Sequence, residues 1–191
     1  MSQEKKSVGV RDIVLVALFA AITYLGISVM RIPLPAAVGA PFIHFGNSLL
    51  VLSVLLLGGV RGGLAGAIGL GFFDLTSGYA STSPVTVLLA FIVAAIVAGL
   101  FRLFQHKDKI QYIFIIALIA GISKIILEFI HGWITLLISG SAFAAAAIGS
   151  FASLPATAIN AVSTVIIVTI LYAPLKKGLE VFDSNKGVSK I

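Results

Sequence analysis

Long apolar segments, separated by short polar or glycine- and proline-rich segments, dominate this sequence. An α-helix needs about 20 apolar residues to cross about 30 Å of hydrocarbon. The pattern therefore predicts six membrane-spanning helices packed in one compact bundle. The second and third are the hardest to separate, because VLLLGGVRGGLAG is interrupted only by Arg61. The predicted spans are 13–30, 45–57, 63–76, 85–104, 112–138 and 154–175.

Composition strengthens the membrane interpretation. Of the 191 residues, 59% are hydrophobic and only 10% are charged, whereas soluble domains carry about 25% charged residues. We therefore predict an all-α integral membrane protein, with residues 1–191 forming a single transmembrane domain. Its polar tails are predicted at 1–11 and 176–191. The first apolar run is longer than the core of a cleavable signal and has no obvious cleavage site, so it is interpreted as a retained span.

The distribution of Lys and Arg predicts the orientation. Positive residues favour the cytoplasmic side of a membrane. If the N-terminus is cytoplasmic, all 13 Lys and Arg residues except Arg31 and Lys124 fall in cytoplasmic segments. We therefore expect both termini in the cytoplasm. The same reasoning makes the net charge of +6 a topology signal and not a nucleic-acid-binding patch.

Two outer loops are unusually apolar for solvated segments. Residues 31–44, RIPLPAAVGAPFIH, are rich in Pro and Gly, and residues 139–153 are rich in small side chains. A loop in contact with water would be more polar. We expect both loops to pack on the bundle, as a lid would, and residues 139–153 to hold a short surface helix.

Polar residues concentrate in the outer half of the predicted bundle, while the inner half is almost free of them. An ionisable group in lipid costs several kcal/mol, so it normally faces a cavity or a partner and marks function. Lys124, Glu128 and His131 share one face of the fifth helix through i, i+4, i+7 spacing. The candidate ligand-binding residues are Glu128, Lys124, His131, Asn160, Asn47, Asp74, Trp133, Tyr79 and His44.

Each candidate also has a structural interpretation. Lys124 and Glu128 can form an ion pair that only stabilises the fold, although a paired charge still loses hydration. Trp133 at an interface is often a membrane anchor. The corresponding alternatives are loop capping for Asp74, loop packing for His44, and helix–helix hydrogen bonds for Asn47 and Asn160.

The sequence lacks the common catalytic motifs. It contains no GxxxxGK[ST], so it is not expected to hydrolyse ATP by a P-loop, and without HExxH or GxSxG the commonest metalloprotease and serine-hydrolase signatures are missing. Without cysteine there is no disulfide or thiolate site. No cofactor, metal site or enzymatic activity is expected.

Small residues recur at helical spacing in two places. Ala17 and Ala21 lie four residues apart in the first span, and Gly58, Gly62 and Gly66 repeat this spacing further on. Such faces let helices approach closely. For the glycines, packing within the bundle is the expected role, whereas the alanines can also serve a partner protein.

Together, these segments resemble the S components of energy-coupling factor (ECF) vitamin transporters. The resemblance rests on ALFAAI with Ala17 and Ala21, on RIPLPAAVGAPFIHFGN before the second span, and on LLLGGVRGGLAGAIGLGFFDLTSGY through the third. It covers residues 14–175 and is closest to the subgroup linked to hydroxymethylpyrimidine, a thiamin precursor, or to pyridoxine.

The resemblance implies a transport mechanism. An S component binds a small vitamin near the outer face of the bacterial plasma membrane, under the first outer loop. It joins one transmembrane coupling subunit, here through Ala17 and Ala21, and two ATPase subunits that hydrolyse ATP. It is thought to topple in the membrane to deliver the vitamin inward. On this model, Trp133 or Tyr79 would stack on the vitamin ring.

Two other classes of protein compete with this interpretation. A self-sufficient secondary transporter or channel would use Lys124, Glu128 and Asp74 to relay ions. Such carriers often contain inverted repeats and broken helices, and no convincing repeat or mid-span proline is visible here. An intramembrane enzyme using His131 with Glu128 or Asp74 would lack any recognised catalytic signature.

Overall fold

The computed structural model describes residues 9–34 and 42–188, with side chains through Phe182. The predictions for residues 1–8, 35–41 and 189–191, which include most of the N-terminal tail and the middle of the first outer loop, lie outside the described residues. The described chain is almost entirely helical. Its elements are α1 (Val10–Ser28), β1 (Ile32–Pro33), β2 (Phe42–Ile43), α2 (Gly46–Leu57), α3 (Gly59–Thr76), α4 (Ser83–Leu103), α5 (Ile110–Ile138), α6 (Phe143–Ala152) and α7 (Leu154–Val188).

The all-helical, membrane-type architecture agrees with the prediction. Within the described residues, α1, α4, α5 and the segment Leu154–Phe182 of α7 are long and apolar enough to cross a membrane. The predicted second and third spans correspond to α2, which has only 12 residues, and to the glycine-rich α3. Six spans and cytoplasmic termini remain predictions.

Helices extend into both predicted tails. Helix α1 already starts at Val10, inside the segment 1–11 that was predicted as a polar tail. Helix α7 continues through Pro174 to Val188, although the sixth span was predicted to end at residue 175 and a tail to follow. Proline inside a helix costs about 3 kcal/mol through a lost hydrogen bond and a clash with the preceding turn, but the Leu, Lys and Glu residues that follow Pro174 favour helix.

Glycines determine where α2 ends and how closely α3 packs against it, within a nearly continuous apolar segment. Gly58 ends α2 with a φ of 87°, a left-handed conformation that favours glycine. It is therefore a turn residue and does not belong to a packing face. Gly62 and Gly66 do pack, because a Cβ on either would meet α2 atoms of Val54 or Leu50 at 2.3 Å or less.

Helix α2 is the centre of the bundle. It packs against α1, α3, α4 and α7, and Leu50 and Leu52 are almost completely buried. A 12-residue helix is only about 18 Å long, shorter than the helices around it. Space is therefore left beyond its first turn, where the short β1–β2 ribbon crosses. The predicted surface helix of the 139–153 loop is confirmed as α6, which packs mainly on α5.

Candidate functional site

A cavity of about 230 Å³ opens at the end of the bundle where α2 begins and α3 ends. Every predicted ligand-binding residue except Trp133 lines it. Residues from distant parts of the chain converge here because α2 is short and its neighbours extend past it. The wall contains Ile27, Phe42, His44, Asn47, Leu70, Phe73, Asp74, Tyr79, Thr82, Val85, Thr86, Leu89, Lys124, Glu128, His131, Ala156, Thr157 and Asn160.

The charged residues of α5 form one connected group in this wall. Lys124 Nζ lies 2.7 Å from Glu128 Oε1, and His131 Nδ1 lies 3.6 Å from Glu128 Oε2. The helical spacing places all three on one face, as predicted. The Glu128 carboxylate is thus held between the Lys124 ammonium group and the His131 imidazole, and all three residues line the cavity. This geometry suits hydrogen bonding to a polar ligand.

Asn160 of α7 attaches the first outer loop to the bundle. Its Oδ1 accepts a hydrogen bond from the His44 backbone N–H at 2.9 Å, and its Nδ2 donates to the Phe42 carbonyl at 3.1 Å. Asn160 is 5% exposed. Both ends of the amide are therefore engaged by the loop backbone. The contact fixes the strand β2 and the following residue at the cavity wall.

His44 presents a defined tautomer to the cavity. Its Nδ1 accepts a hydrogen bond from the Gly46 backbone N–H at 3.0 Å, so in the neutral ring the proton lies on Nε2. Burial lowers the pKa of His44 to about 4, with Lys124 acting in the same direction and Glu128 opposing it. His44 is therefore neutral at physiological pH, with Nε2–H as a donor.

Aromatic rings form the apolar side of the cavity. The Phe73 and Tyr79 rings are nearly parallel at 6.2 Å, and Phe42 lies 5.6 Å from each. The Arg31 guanidinium covers Phe42 at 5.3 Å from the ring centroid. Tyr79 was predicted as a stacking residue, whereas Phe42 and Phe73 were missed, since phenylalanines in an apolar chain carry no distinguishing signal.

Trp133 does not join this wall. Its indole N–H donates to the Phe143 carbonyl at 3.3 Å, and its ring contacts those of Phe129 and Phe143. It fixes α6 against α5 outside the cavity. The flat face expected from Trp133 is instead available from the aromatic wall.

Hydroxyl and amide groups complete the cavity. The sequence interpretation did not single out the lining residues Thr82, Thr86 and Thr157. Threonine carries little signal in an apolar chain because its hydroxyl can donate to a nearby backbone carbonyl, as Thr82 does to the Tyr79 carbonyl. Asn47 lines the cavity, and its side chain makes no hydrogen bond to other described residues. It is available to a ligand.

A second polar cavity, of about 310 Å³, lies at the opposite end of the bundle. Arg61 pairs with Asp12 at 2.8 Å there, and Asp108 accepts hydrogen bonds from Tyr172 and Lys176. Burial alone would raise the pKa of Asp108, but these bonds hold it below its ordinary value. This cluster was not predicted from the sequence. Most of its polar residues lie outside the predicted spans, in separate loops and helix ends, so no local pattern shows them together.

The predicted partner-binding alanines lie on the bundle surface. Ala17 and Ala21 are exposed, and each lines an apolar depression between α1 and α3. The larger depression has a volume of about 600 Å³. The two helices approach closely because Gly69 of α3 faces Ala20 and Thr23.

Comparisons with known proteins agree with this architecture. A solved structure of the S component of a bacterial ECF transporter superposes with a TM-score of 0.65, covering 88% of this chain and 97% of that one at 17% identity. This likeness concerns the fold. No curated protein matches the chain. The family model for the ECF-type riboflavin transporter, S component, matches residues 7–177. The chain therefore belongs to the family of ECF-type riboflavin transporter S components, which are membrane substrate-binding subunits.

Proposed function

We propose that this subunit captures a small single-ring vitamin or precursor in the 230 Å³ cavity, with hydroxymethylpyrimidine or pyridoxine as the favoured ligand. The observation that carries the proposal is the convergence of the Lys124–Glu128–His131 group and an aromatic wall on one small space. An apolar cavity with a few convergent polar groups is the usual form of a small-molecule site.

The size of the cavity supports a small ligand. Pockets for drug-sized molecules occupy about 300–1,000 Å³, and this cavity is below that range. Hydroxymethylpyrimidine and pyridoxine each contain one six-membered ring with hydrogen-bonding substituents. Phe73 and Tyr79 provide a surface for the ring, while Glu128 and Asn47 provide partners for its substituents.

Riboflavin is the second candidate. The description of the matching family model favours it, because members of a family often share a ligand. Its three fused rings and ribityl chain require more space than the described cavity offers. Binding would need the wall to move apart, most readily at the loop that Asn160 attaches.

The proposed role requires partner subunits. Ala17 and Ala21 would contact a transmembrane coupling subunit through the α1–α3 surface, and two ATPase subunits would supply the energy. The location would be a bacterial plasma membrane, with six spans and both termini in the cytoplasm. The exposed, apolar character of the surface around Ala17 supports its use by a membrane-embedded partner.

Reconstitution distinguishes this role from that of an ion-coupled carrier. The purified protein alone would be reconstituted in liposomes. Labelled pyridoxine or hydroxymethylpyrimidine would be added to the external solution, and a proton or sodium gradient would be imposed across the membrane. We expect binding without accumulation, and accumulation only after addition of a coupling module and ATP. Gradient-driven accumulation by the protein alone would contradict the proposal and favour an ion relay through Lys124, Glu128 and Asp74.

A further inference from the structure

Asp74 is a buried carboxylate in the cavity wall with an unused oxygen. It is 7% exposed and lies near the end of α3. Thr86 of α4 lines the same cavity. The Asp74 Oδ2 atom has no hydrogen-bond partner among residues 9–34 and 42–182. Buried polar atoms are rarely left without a partner, because the loss of hydration is not compensated.

The cations Lys124 and Arg31, which lie near the cavity, are each engaged by other groups. Lys124 is paired at 2.7 Å with Glu128. Arg31 lies over the rings of Phe42 and Phe73 and is not part of the cavity lining. Within the described part of the wall, two carboxylates therefore face one ammonium group. The wall lacks one positive or strongly donating group.

The position of Asp74 shows where this group would be supplied. Asp74 follows Phe73 on α3, and both line the cavity. A flat ring placed against the aromatic wall would thus bring an edge substituent towards the carboxylate. A positively charged nitrogen donor suits it best, because it adds charge attraction to the hydrogen bond and supplies the positive group that the wall lacks.

We propose that Asp74 is the specificity-determining residue of this cavity, selecting ligands that present an amino group or a protonated ring nitrogen to its free Oδ2. This inference rests on the proposed function and narrows its ligand class. The ligand supplies the partner that Asp74 lacks. Binding therefore removes the free-energy cost of burying the unpaired Asp74 carboxylate in the ligand-free protein. A neutral analogue with a carbonyl oxygen at the same position would be repelled.

The test compares wild-type protein with Asp74→Asn, which is close in shape but removes the negative charge. Hydroxymethylpyrimidine, pyridoxine and riboflavin would be titrated calorimetrically into each purified protein. Asp108→Asn is the matched control, since it removes a carboxylate at the opposite end of the bundle. Melting temperatures of the ligand-free proteins would be recorded in parallel.

We expect Asp74→Asn to weaken binding of the amino or ring-nitrogen ligand at least tenfold, with Asp108→Asn binding as the wild type does. The ligand-free Asp74→Asn protein should melt at the same or a higher temperature, because its uncompensated charge is gone. Unchanged affinity, or melting several degrees lower, would overturn the inference and make Asp74 a bystander or a structural group. If the wild type bound none of the three compounds, the proposed function would fail, and melting alone would decide whether Asp74 is structural.

Discussion

Removing the Asn160 side chain tests how the first outer loop is held over the cavity. In Asn160→Ala the His44 N–H and the Phe42 carbonyl each lose a hydrogen bond, at 2.9 and 3.1 Å. Among the described residues, these two side-chain bonds join α7 to the segment around β2. The bundle itself keeps its apolar core, so we expect the loop to loosen while the helices remain packed.

The expected magnitude follows from these two bonds. A typical hydrogen bond contributes about 1 kcal/mol net to stability, so the pair contributes about 2 kcal/mol. If the segment around β2 is no longer attached to α7 in the ligand-free variant, ligand binding must supply this free energy to re-order the segment. Since about 1.4 kcal/mol corresponds to a tenfold change in affinity, the dissociation constant should rise about 30-fold. Asn160→Asp keeps the acceptor for His44 and should lose less.

The assay combines calorimetric titration of the vitamin, which gives the dissociation constant, with hydrogen exchange of the His44 backbone amide. Thr169→Val is the matched control on the same helix, because the Thr169 hydroxyl is buried with no partner among the described residues. Its removal should change neither affinity nor exchange. If Asn160→Ala bound the ligand as tightly as wild type while His44 exchanged faster, loop attachment would not contribute to binding, and the reasoning would be refuted.

Three further predictions concern other parts of the protein. Glu128→Gln should weaken binding more than tenfold, because Lys124 loses its partner and the ligand an anionic acceptor; unchanged affinity by calorimetry would remove Glu128 from the site. The folded protein should lose thermal stability as the pH falls from about 6.5 towards 4, since unfolded His44 gains a proton near 6.5 and buried His44 only near 4; melting curves of His44→Asn should be flatter over this range, and an identical pH dependence would contradict the assignment. Leucine at both Ala17 and Ala21 should abolish uptake with the coupling module but leave calorimetric binding intact, whereas normal uptake would exclude this surface from coupling.

The α5 group was predictable from sequence for a definite physical reason. Ionisable residues in an apolar helix must face the interior or a partner, and i, i+4, i+7 spacing is sufficient to place them together. The grouping of Lys124, Glu128 and His131 could therefore be predicted without knowledge of the tertiary structure. Trp133 follows His131 by two residues, about 200° around the helix, and it accordingly lies outside the cavity.

Other features depend on contacts between residues distant in sequence. The bonds of Asn160 span 116 and 118 residues, and no local pattern specifies their partners. The same applies to the aromatic wall, because Phe42 and Phe73 become neighbours only when β2 packs beside the end of α3. The extension of α7 past Pro174 was missed because proline was treated as a terminator, although the residues after it favour helix.

Calorimetric titration of the purified wild-type protein, without partner subunits or ATP, tests most directly whether this cavity binds a single-ring vitamin. Hydroxymethylpyrimidine, pyridoxine and riboflavin would be compared under identical conditions, with thiamin, biotin, pantothenate and folate as further ligands. We predict one-to-one binding of hydroxymethylpyrimidine or pyridoxine in the nanomolar to low-micromolar range. Tight binding of riboflavin with neither small compound, or no binding of any, would contradict the proposed ligand class.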